Sequence, residues 1–157
     1  MATLRQRLLA GAAAGAAGTT VLNAATYLDM ALRGRPASRT PENTVTTVAE
    51  LTHIPIPGTG KTRENRIAGV GALAGLVTGV AAGAAAGAAR HLGFRPGPMV
   101  SGLTVGLGAM VLSNAPMTAL KITDPRSWSV QDWISDVVPH LGYGLVIGAT
   151  LAWLDSD

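Results

Sequence analysis

The sequence predicts an all-α fold, an integral membrane bundle of four transmembrane helices, and three observations lead to this prediction. Charged residues divide the chain into four long apolar segments, each close to the roughly 20 residues that a helix needs to cross a bilayer. Only 13% of the 157 residues are charged and 48% are hydrophobic, whereas soluble domains carry about 25% charged residues. Several of the 20 glycines follow one another at four-residue spacing. We therefore predict a single membrane domain over residues 1–157.

The first helix is predicted over residues 8–30. Arg5 and Arg7 before an apolar run are also typical of a signal peptide. This run is long and weakly hydrophobic, and polar Asn23 and Tyr27 stand where a cleavage region would be. We therefore predict a helix that the protein retains.

Residues 31–66 form a long loop with a short predicted helix over residues 41–53. Thr40 is the predicted N-cap, Pro41 takes the first helical position and Pro55 follows the end. The apolar face of this helix consists of Val45, Val48, Leu51 and Thr52. Two interpretations are open: a helix that lies on the lipid headgroups and an ordinary solvated connector.

The second helix, residues 67–90, carries a ladder of glycines: Gly71, Gly75, Gly79, Gly83 and Gly87. The uncharged stretch between Arg66 and Arg90 extends about 34 Å as a helix, enough to cross a bilayer. In water each glycine costs roughly 1 kcal/mol relative to alanine, but in lipid small residues let two helices approach closely. The ladder predicts a packing surface for another copy of the chain or for another membrane protein, and a helix of the same chain is also an open partner.

A Pro-Gly-Pro run at residues 96–98 predicts a tight connection to a third helix over residues 98–120. The fourth helix is predicted over residues 129–154, because Ser129 and Asp132 have capping-box spacing with Asp in place of Glu. The predicted packing glycines of these two helices are Gly102, Gly106, Gly144 and Gly148. Four spans place both ends of the chain on one side of the membrane.

The four helices also contain an internal similarity. A shift of 91 residues places Gly11, Gly15 and Asn23 of the first helix on Gly102, Gly106 and Asn114 of the third. A shift of 73 residues places Gly69, Gly71 and Gly75 of the second helix on Gly142, Gly144 and Gly148 of the fourth. The chain is either two copies of one helical hairpin or a Gly/Ala-rich sequence that aligns by chance.

Polar side chains inside the spans converge at one depth. Asn23, Asn114 and His140 each lie about 9–10 Å inside the boundary that faces the two long loops. Asp136 shares a helix face with His140, and Tyr27 is available at a similar level. Polar groups in lipid are expensive unless they pair, so we expect this layer to face inward.

Two interpretations of the polar layer are open. It can be a clasp that fixes helix register, with each interhelical bond worth about 0.6 kcal/mol. It can instead be a proton or small-solute site, with His140 titrating beside Asp136. A metal site is disfavoured, because it needs at least three ligands and the other histidines, His53 and His91, lie outside the spans.

Several functions are disfavoured by the residues present. Gly60-Lys61-Thr62 imitates the end of a phosphate-binding loop, but Pro55 stands where the motif needs glycine, so we expect no nucleotide. Basic residues form no stripe with interleaved aromatics, so we expect no nucleic acid partner. We find no hydrolase motif and no cysteine, and we expect no enzyme, no metal and no cofactor.

Positive charges predict the orientation in the membrane. The two loops on one side hold Arg33, Arg35, Arg39, Lys61, Arg63, Arg66, Lys121 and Arg126. The opposite side holds Arg5, Arg7, Arg90 and Arg95. The positive-inside rule therefore predicts that both long loops are cytoplasmic.

The run Pro139-His140-Leu141-Gly142-Tyr143-Gly144, followed by Gly148, resembles the last helix of small bacterial inner-membrane proteins of the YagU-like kind. The Arg-Gly-Arg-Pro loop and the glycine ladder are similar to uncharacterised actinobacterial membrane proteins. The resemblance implies a multi-pass protein of the bacterial plasma (inner) membrane with no established chemistry, and no catalytic residue is carried over.

The predicted function is a structural, accessory or oligomer-forming role in the lipid bilayer through glycine-rich helix packing. The alternative is a small channel or carrier that uses the layer of Asn23, Asn114, Asp136 and His140.

Overall fold

The structure is a computed structural model that describes residues 2–155. Its helices are α1 (Leu4–Arg33), α2 (Thr40–Thr52), α3 (Gly60–His91), α4 (Pro98–Ala119) and α5 (Val130–Trp153), with a short 3-10 turn at Pro125–Ser127. No strand occurs in the described part of the chain, which confirms the all-α fold class. Four of the helices, α1, α3, α4 and α5, are long and apolar enough to cross a membrane.

Local sequence signals explain where these helices begin. Ser129 caps α5 with its hydroxyl, and the Asp132 carboxylate bonds back to the Ser129 backbone, as the spacing predicts. A second capping box, Thr3 with Gln6, begins α1. In α2 the predicted cap is wrong by one residue: Arg39 is the N-cap, without a side-chain cap bond, and Thr40 is already helical.

Two helices are longer than the apolar pattern predicts. α1 begins four residues before residue 8, at Leu4, and α3 begins seven residues before residue 67, at Gly60. The added turns are polar and contain good helix formers such as Lys61 and Arg63. A helix continues past the apolar boundary where such residues allow it, so charge marks the limit of the membrane segment and not the helix end.

The four long helices form a bundle in which the order of close neighbours is α3, α1, α5, α4. The closest packing joins α1 to α3, α4 to α5 and α1 to α5, whereas α3 and α4 touch far less. α3 and α4 are consecutive in the long-helix order of the chain, and one contact between them, the hydrogen bond from Arg90 to Ser101, lies near their short connection. α2 packs on α3, where Pro41 lies against Gly71.

Glycines bring α1 and α3 into backbone contact. A Cβ on Gly83 would overlap the Gly11 carbonyl oxygen and the Gly15 backbone, and a Cβ on Gly87 would overlap the Arg7 carbonyl oxygen. Gly79 lies against the Thr19 side chain. Three members of the predicted ladder thus pack against a helix of the same chain, as small residues at four-residue spacing allow.

The remaining ladder glycines have other surroundings. Gly71 faces Pro41 of α2, and Gly75 has open space where a side chain would be. The seam between α1 and α3 is therefore closed at Gly79 and open at Gly75, one turn earlier in α3.

α4 and α5 pack through a matching set of glycines. A Cβ on Gly144 would overlap the Gly102 carbonyl oxygen and the Gly106 backbone, and a Cβ on Gly148 would overlap the Pro98 carbonyl oxygen. Each contact has a counterpart between α1 and α3. Gly102 and Gly106 correspond to Gly11 and Gly15, and Gly144 and Gly148 correspond to Gly83 and Gly87. The contacts thus align the second helices of the two hairpins with a shift of 61 residues, not the 73 residues that the sequence alone favours.

The core lies between α1 and α5. Its fully buried side chains are Tyr143, Ile147 and Leu151 of α5, and Ala14 of α1 packs against them. Gly18 gives the Tyr143 ring room to lie against the α1 backbone. One large residue per turn of α5 therefore fills the space that small residues on α1 leave.

Candidate functional site

A polar cluster joins α4 to α5 within their membrane-spanning parts. The Asn114 side chain donates a hydrogen bond to Asp136 Oδ2 at 2.7 Å. His140 Nδ1 lies 2.8 Å from the Asp136 carbonyl oxygen and 3.4 Å from Asp136 Oδ1. All three side chains are half-buried. The structure therefore brings together three of the five predicted polar residues.

The hydrogen bonds of this cluster fix its chemical character. A carbonyl oxygen only accepts, so His140 Nδ1 carries a proton and Nε2 is left as the acceptor of the neutral ring. Asp136 receives the Asn114 amide on one oxygen and faces the imidazole with the other. A carboxylate and an imidazole in this arrangement can exchange a proton or bind a small polar solute.

The structure does not bring Asn23 and Tyr27 into this cluster. Tyr27 is 64% exposed. Asn23 is half-buried, and in residues 2–155 its side chain makes no hydrogen bond. Asn23 comes one turn after Thr19, on the stripe of α1 that faces α3, whereas α1 meets α5 through Gly18. Asn23 and Tyr27 therefore lie at a depth similar to that of the cluster, but on faces of α1 that do not point toward it.

Within residues 2–155, no group of three His, Cys, Asp or Glu side chains is placed to hold a metal ion. In the described residues, Asp136 and His140 provide two such side chains and no third lies beside them.

A buried ionic network, which the sequence did not predict, lies at the opposite end of the spans. Arg7 of α1 and Arg90 of α3 both donate to the carboxylate of Asp155, which follows α5. Arg90 also donates to Ser101 Oγ at 2.9 Å, and that hydroxyl donates to the Pro96 carbonyl oxygen at 3.1 Å. Four of the five α-helices are tied together by these contacts.

Burial makes this network unusual. Arg90 is 4% exposed and Arg7 is 8% exposed, and Arg7 Nε is buried without a hydrogen-bond partner in the described residues. Burial raises the pKa of Asp155, but the hydrogen bonds from Arg90 and Arg7 outweigh it and hold the pKa below its usual value. The available sequence signal was the position of Arg7, one turn before Gly11 on the stripe that faces α3.

A second ionic group lies near the loops. Ser135 of α5 donates to Asp29 Oδ2 at 3.0 Å, and Arg33 donates to Ser135 Oγ at 2.8 Å. Arg35 also pairs with Asp29. These contacts hold the end of α1 against the beginning of α5.

Tyr143 links three helices in the middle of the molecule. Its ring lies against Gly18 of α1, and its hydroxyl donates to the Gly79 carbonyl oxygen of α3 at 2.6 Å. Tyr143 therefore packs α5 against α1 and α3 in this fold.

The fold and its polar clusters define a multi-pass helical membrane protein with four candidate spanning helices. No protein-family model, no curated protein and no solved structure matches the chain. The likeness of the last helix to YagU-like proteins stays a prediction from the sequence.

Proposed function

We propose that this protein has a structural or accessory role in the bacterial inner membrane, where it associates with itself or with another membrane protein through small-residue helix faces. Its long loops lie in the cytoplasm, and it catalyses no reaction. Lipid contact along the four apolar helices provides the setting for this role.

The open end of the seam between α1 and α3 carries the proposal. Thr19 and Gly79 touch, but one turn further Gly75 has open space beside it. Asn23, one turn after Thr19, makes no side-chain hydrogen bond within residues 2–155. An unsatisfied polar group in lipid is costly, and interhelical bonds to Asn are worth about 0.6 kcal/mol. A further helix that enters here can bond Asn23.

The surface around this opening is accessible. Residues 72–78 of α3 are all exposed, including the large side chains Leu73, Leu76 and Val77. A partner helix can therefore reach the opening laterally, without displacing another part of the chain.

Substitutions at the opening test the association. In proteoliposomes, subunit counting by single-molecule photobleaching should give an oligomer for the native protein. Gly75→Leu and Asn23→Leu should each reduce the oligomeric fraction, the former by about tenfold. Gly69→Leu is the matched control, because Gly69 is exposed on another face of α3 with open space around it. A monomeric native protein, or an oligomer that Gly75→Leu and Asn23→Leu leave intact, would contradict the proposal.

We also infer that the chain contains two copies of one helical hairpin. The equivalent glycine contacts of the two hairpins support this inference, and so does the pairing of Asn23 with Asn114 at the shift of 91 residues. In the second hairpin Asp136 receives the Asn114 amide, whereas the corresponding residue of the first is Gly75. The missing carboxylate explains why Asn23 has no counterpart bond.

The alternative function is a small channel or carrier for protons or a small solute. The observation that favours it is the Asp136–His140 pair with the Asn114 amide on the carboxylate. Liposomes with purified protein should then conduct protons, and His140→Ala should abolish the flux while Tyr27→Phe leaves it unchanged. Sealed liposomes with the native protein would exclude this alternative.

A further inference from the structure

A groove runs between α3 and α4 on the side of the molecule where these helices separate. It has a volume of about 250 Å³ and opens to the surroundings of the bundle. Its walls are built from small residues, among them Ala82, Ala86, Gly108 and Ala109. Ile147 and Leu151 of α5 form its floor.

The glycine correspondence explains why this space is not filled. α5 presents Tyr143 and Ile147 to the central core, and these side chains close the seam with α1. The residues 61 positions earlier on α3 are Ala82 and Ala86. Methyl groups cannot reach α4 across the distance that an aromatic ring and a branched chain span, so the equivalent seam stays open.

The groove has the length and direction of a lipid acyl chain. Along α4 it extends from Ser101 to Leu112, about 16 Å of helix. One leaflet of the hydrocarbon core is about 15 Å thick. A partner helix is about 10 Å wide, which is too wide for a groove of about 250 Å³ that extends over about 16 Å. The groove therefore suits a single chain within one leaflet.

Positive charge lies at the membrane boundary where the groove ends. Arg90 lines this end, and the exposed Arg95 lies beside it, with its Nε donating to the Arg90 carbonyl oxygen at 3.1 Å. In the described part of the chain, Arg7 and Arg90 share one carboxylate, that of Asp155, so the network has a surplus of one positive charge. Basic pockets between transmembrane helices bind anionic headgroups.

We propose that this groove binds an anionic phospholipid, with one acyl chain between α3 and α4 and the phosphate against Arg95 at the surplus charge of the Arg7–Arg90–Asp155 network. The small residues of the groove walls leave room for an acyl chain, and the arginines select an anionic headgroup. The lipid completes the seam that the alanines leave open.

Native mass spectrometry of the full-length protein in a neutral detergent tests the proposal with dioleoyl phosphatidylglycerol and dioleoyl phosphatidylcholine, which have identical chains. The native protein should retain one phosphatidylglycerol in preference to phosphatidylcholine. Ala86→Leu fills the groove and should reduce retention of phosphatidylglycerol about tenfold. Ala68→Leu, at an exposed position of α3 outside both the groove and residues 72–78, is the matched control and should retain the lipid.

Arg95→Gln tests recognition of the lipid headgroup independently of acyl-chain binding. It does not disturb the core, because Arg95 is exposed. This variant should lose the preference for phosphatidylglycerol and keep weak binding of both lipids. Equal retention of the two lipids by the native protein would overturn the proposal, and so would unchanged phosphatidylglycerol binding in both variants. A dimer that Ala86→Leu converts to monomer without a change in lipid retention would identify a second copy of the chain as the occupant instead.

Discussion

At the scale of single residues, Tyr143 shows how one polar atom connects helices that are distant in the chain. Its hydroxyl reaches the Gly79 carbonyl oxygen of α3, although the residue belongs to α5 and its ring packs on α1. Tyr143→Phe removes this bond and keeps the ring. We expect the free energy of unfolding to fall by about 0.6 kcal/mol, the average for interhelical hydrogen bonds in membranes. Thermal unfolding in detergent measures this loss, and Tyr27→Phe on the exposed surface should change nothing.

Asp155 is the carboxylate on which the buried arginines depend. Asp155→Asn leaves Arg7 and Arg90 without their shared counter-charge, and breaking a buried ion pair costs about 3 kcal/mol. Thermal unfolding at neutral pH should show this loss. Asp124→Asn, whose exposed partner Arg126 lies in a surface turn, should have a smaller effect.

The same residue predicts a pH dependence. The pKa of Asp155 is lower in the fold than in the unfolded chain, because the hydrogen bonds from Arg90 and Arg7 outweigh burial. The network therefore stabilises the protein above the ordinary carboxyl pKa, and this contribution is lost as the pH falls through the lowered pKa. Unfolding midpoints from neutral to strongly acidic pH should fall more for the native protein than for Asp155→Asn. If the unfolding midpoints of the two proteins fall equally with pH, other carboxylates determine the loss of stability in acid.

The sequence predicted local contacts between residues better than distant ones. The capping box of Ser129 and Asp132 follows from their spacing, and the structure confirms it. The network of Arg7, Arg90 and Asp155 joins residues up to 148 positions apart, and no local pattern encodes such a pairing. From the sequence alone, arginines beside apolar segments therefore mark the membrane boundary, and their burial is not predicted.

At the scale of helices, the glycines of the ladder differ in whether they can accept a side chain. A Cβ on Gly83 would overlap the α1 backbone, which cannot yield as a flexible side chain can, whereas Gly75 faces open space. Gly83→Ala should push α1 and α3 apart and lower the unfolding temperature. Gly75→Ala, the same change two turns away, should leave it unchanged or raise it, since alanine is the better helix former by roughly 1 kcal/mol. Equal effects of the two substitutions would contradict the observed packing.

The helices themselves could be located from composition, but their partners could not. Apolar length and flanking charge predicted all four candidate spans, with errors at the ends where polar turns continue the helix, as at Gly60. The ladder indicated close packing without naming α1 as the neighbour. Glycine spacing predicts how closely another helix can approach. Which helix approaches depends on the packing of the whole bundle, which the spacing does not determine.

At the scale of the whole molecule, the order α3, α1, α5, α4 predicts which helices can be cross-linked. The chain has no cysteine, so pairs can be introduced without background. A Cβ at Gly142 of α5 would lie 3.2 Å from a methyl group of Val21 in α1. Val21→Cys with Gly142→Cys should form an intramolecular disulfide on oxidation, visible as a mobility difference on non-reducing gels. Val77→Cys with Val111→Cys, on exposed faces of α3 and α4, should not.

The same order constrains how the chain is assembled in the cell. α1 precedes the other long helices of this sequence, yet one of its two neighbours is α5, which follows the other three in the chain. Arg7 and Arg90 of the first hairpin lack their shared counter-charge until Asp155, beyond the end of α5, is made. A chain that has not yet reached Asp155 thus carries two positive charges without their shared partner. Closure of the ionic network joins the first hairpin to the end of α5.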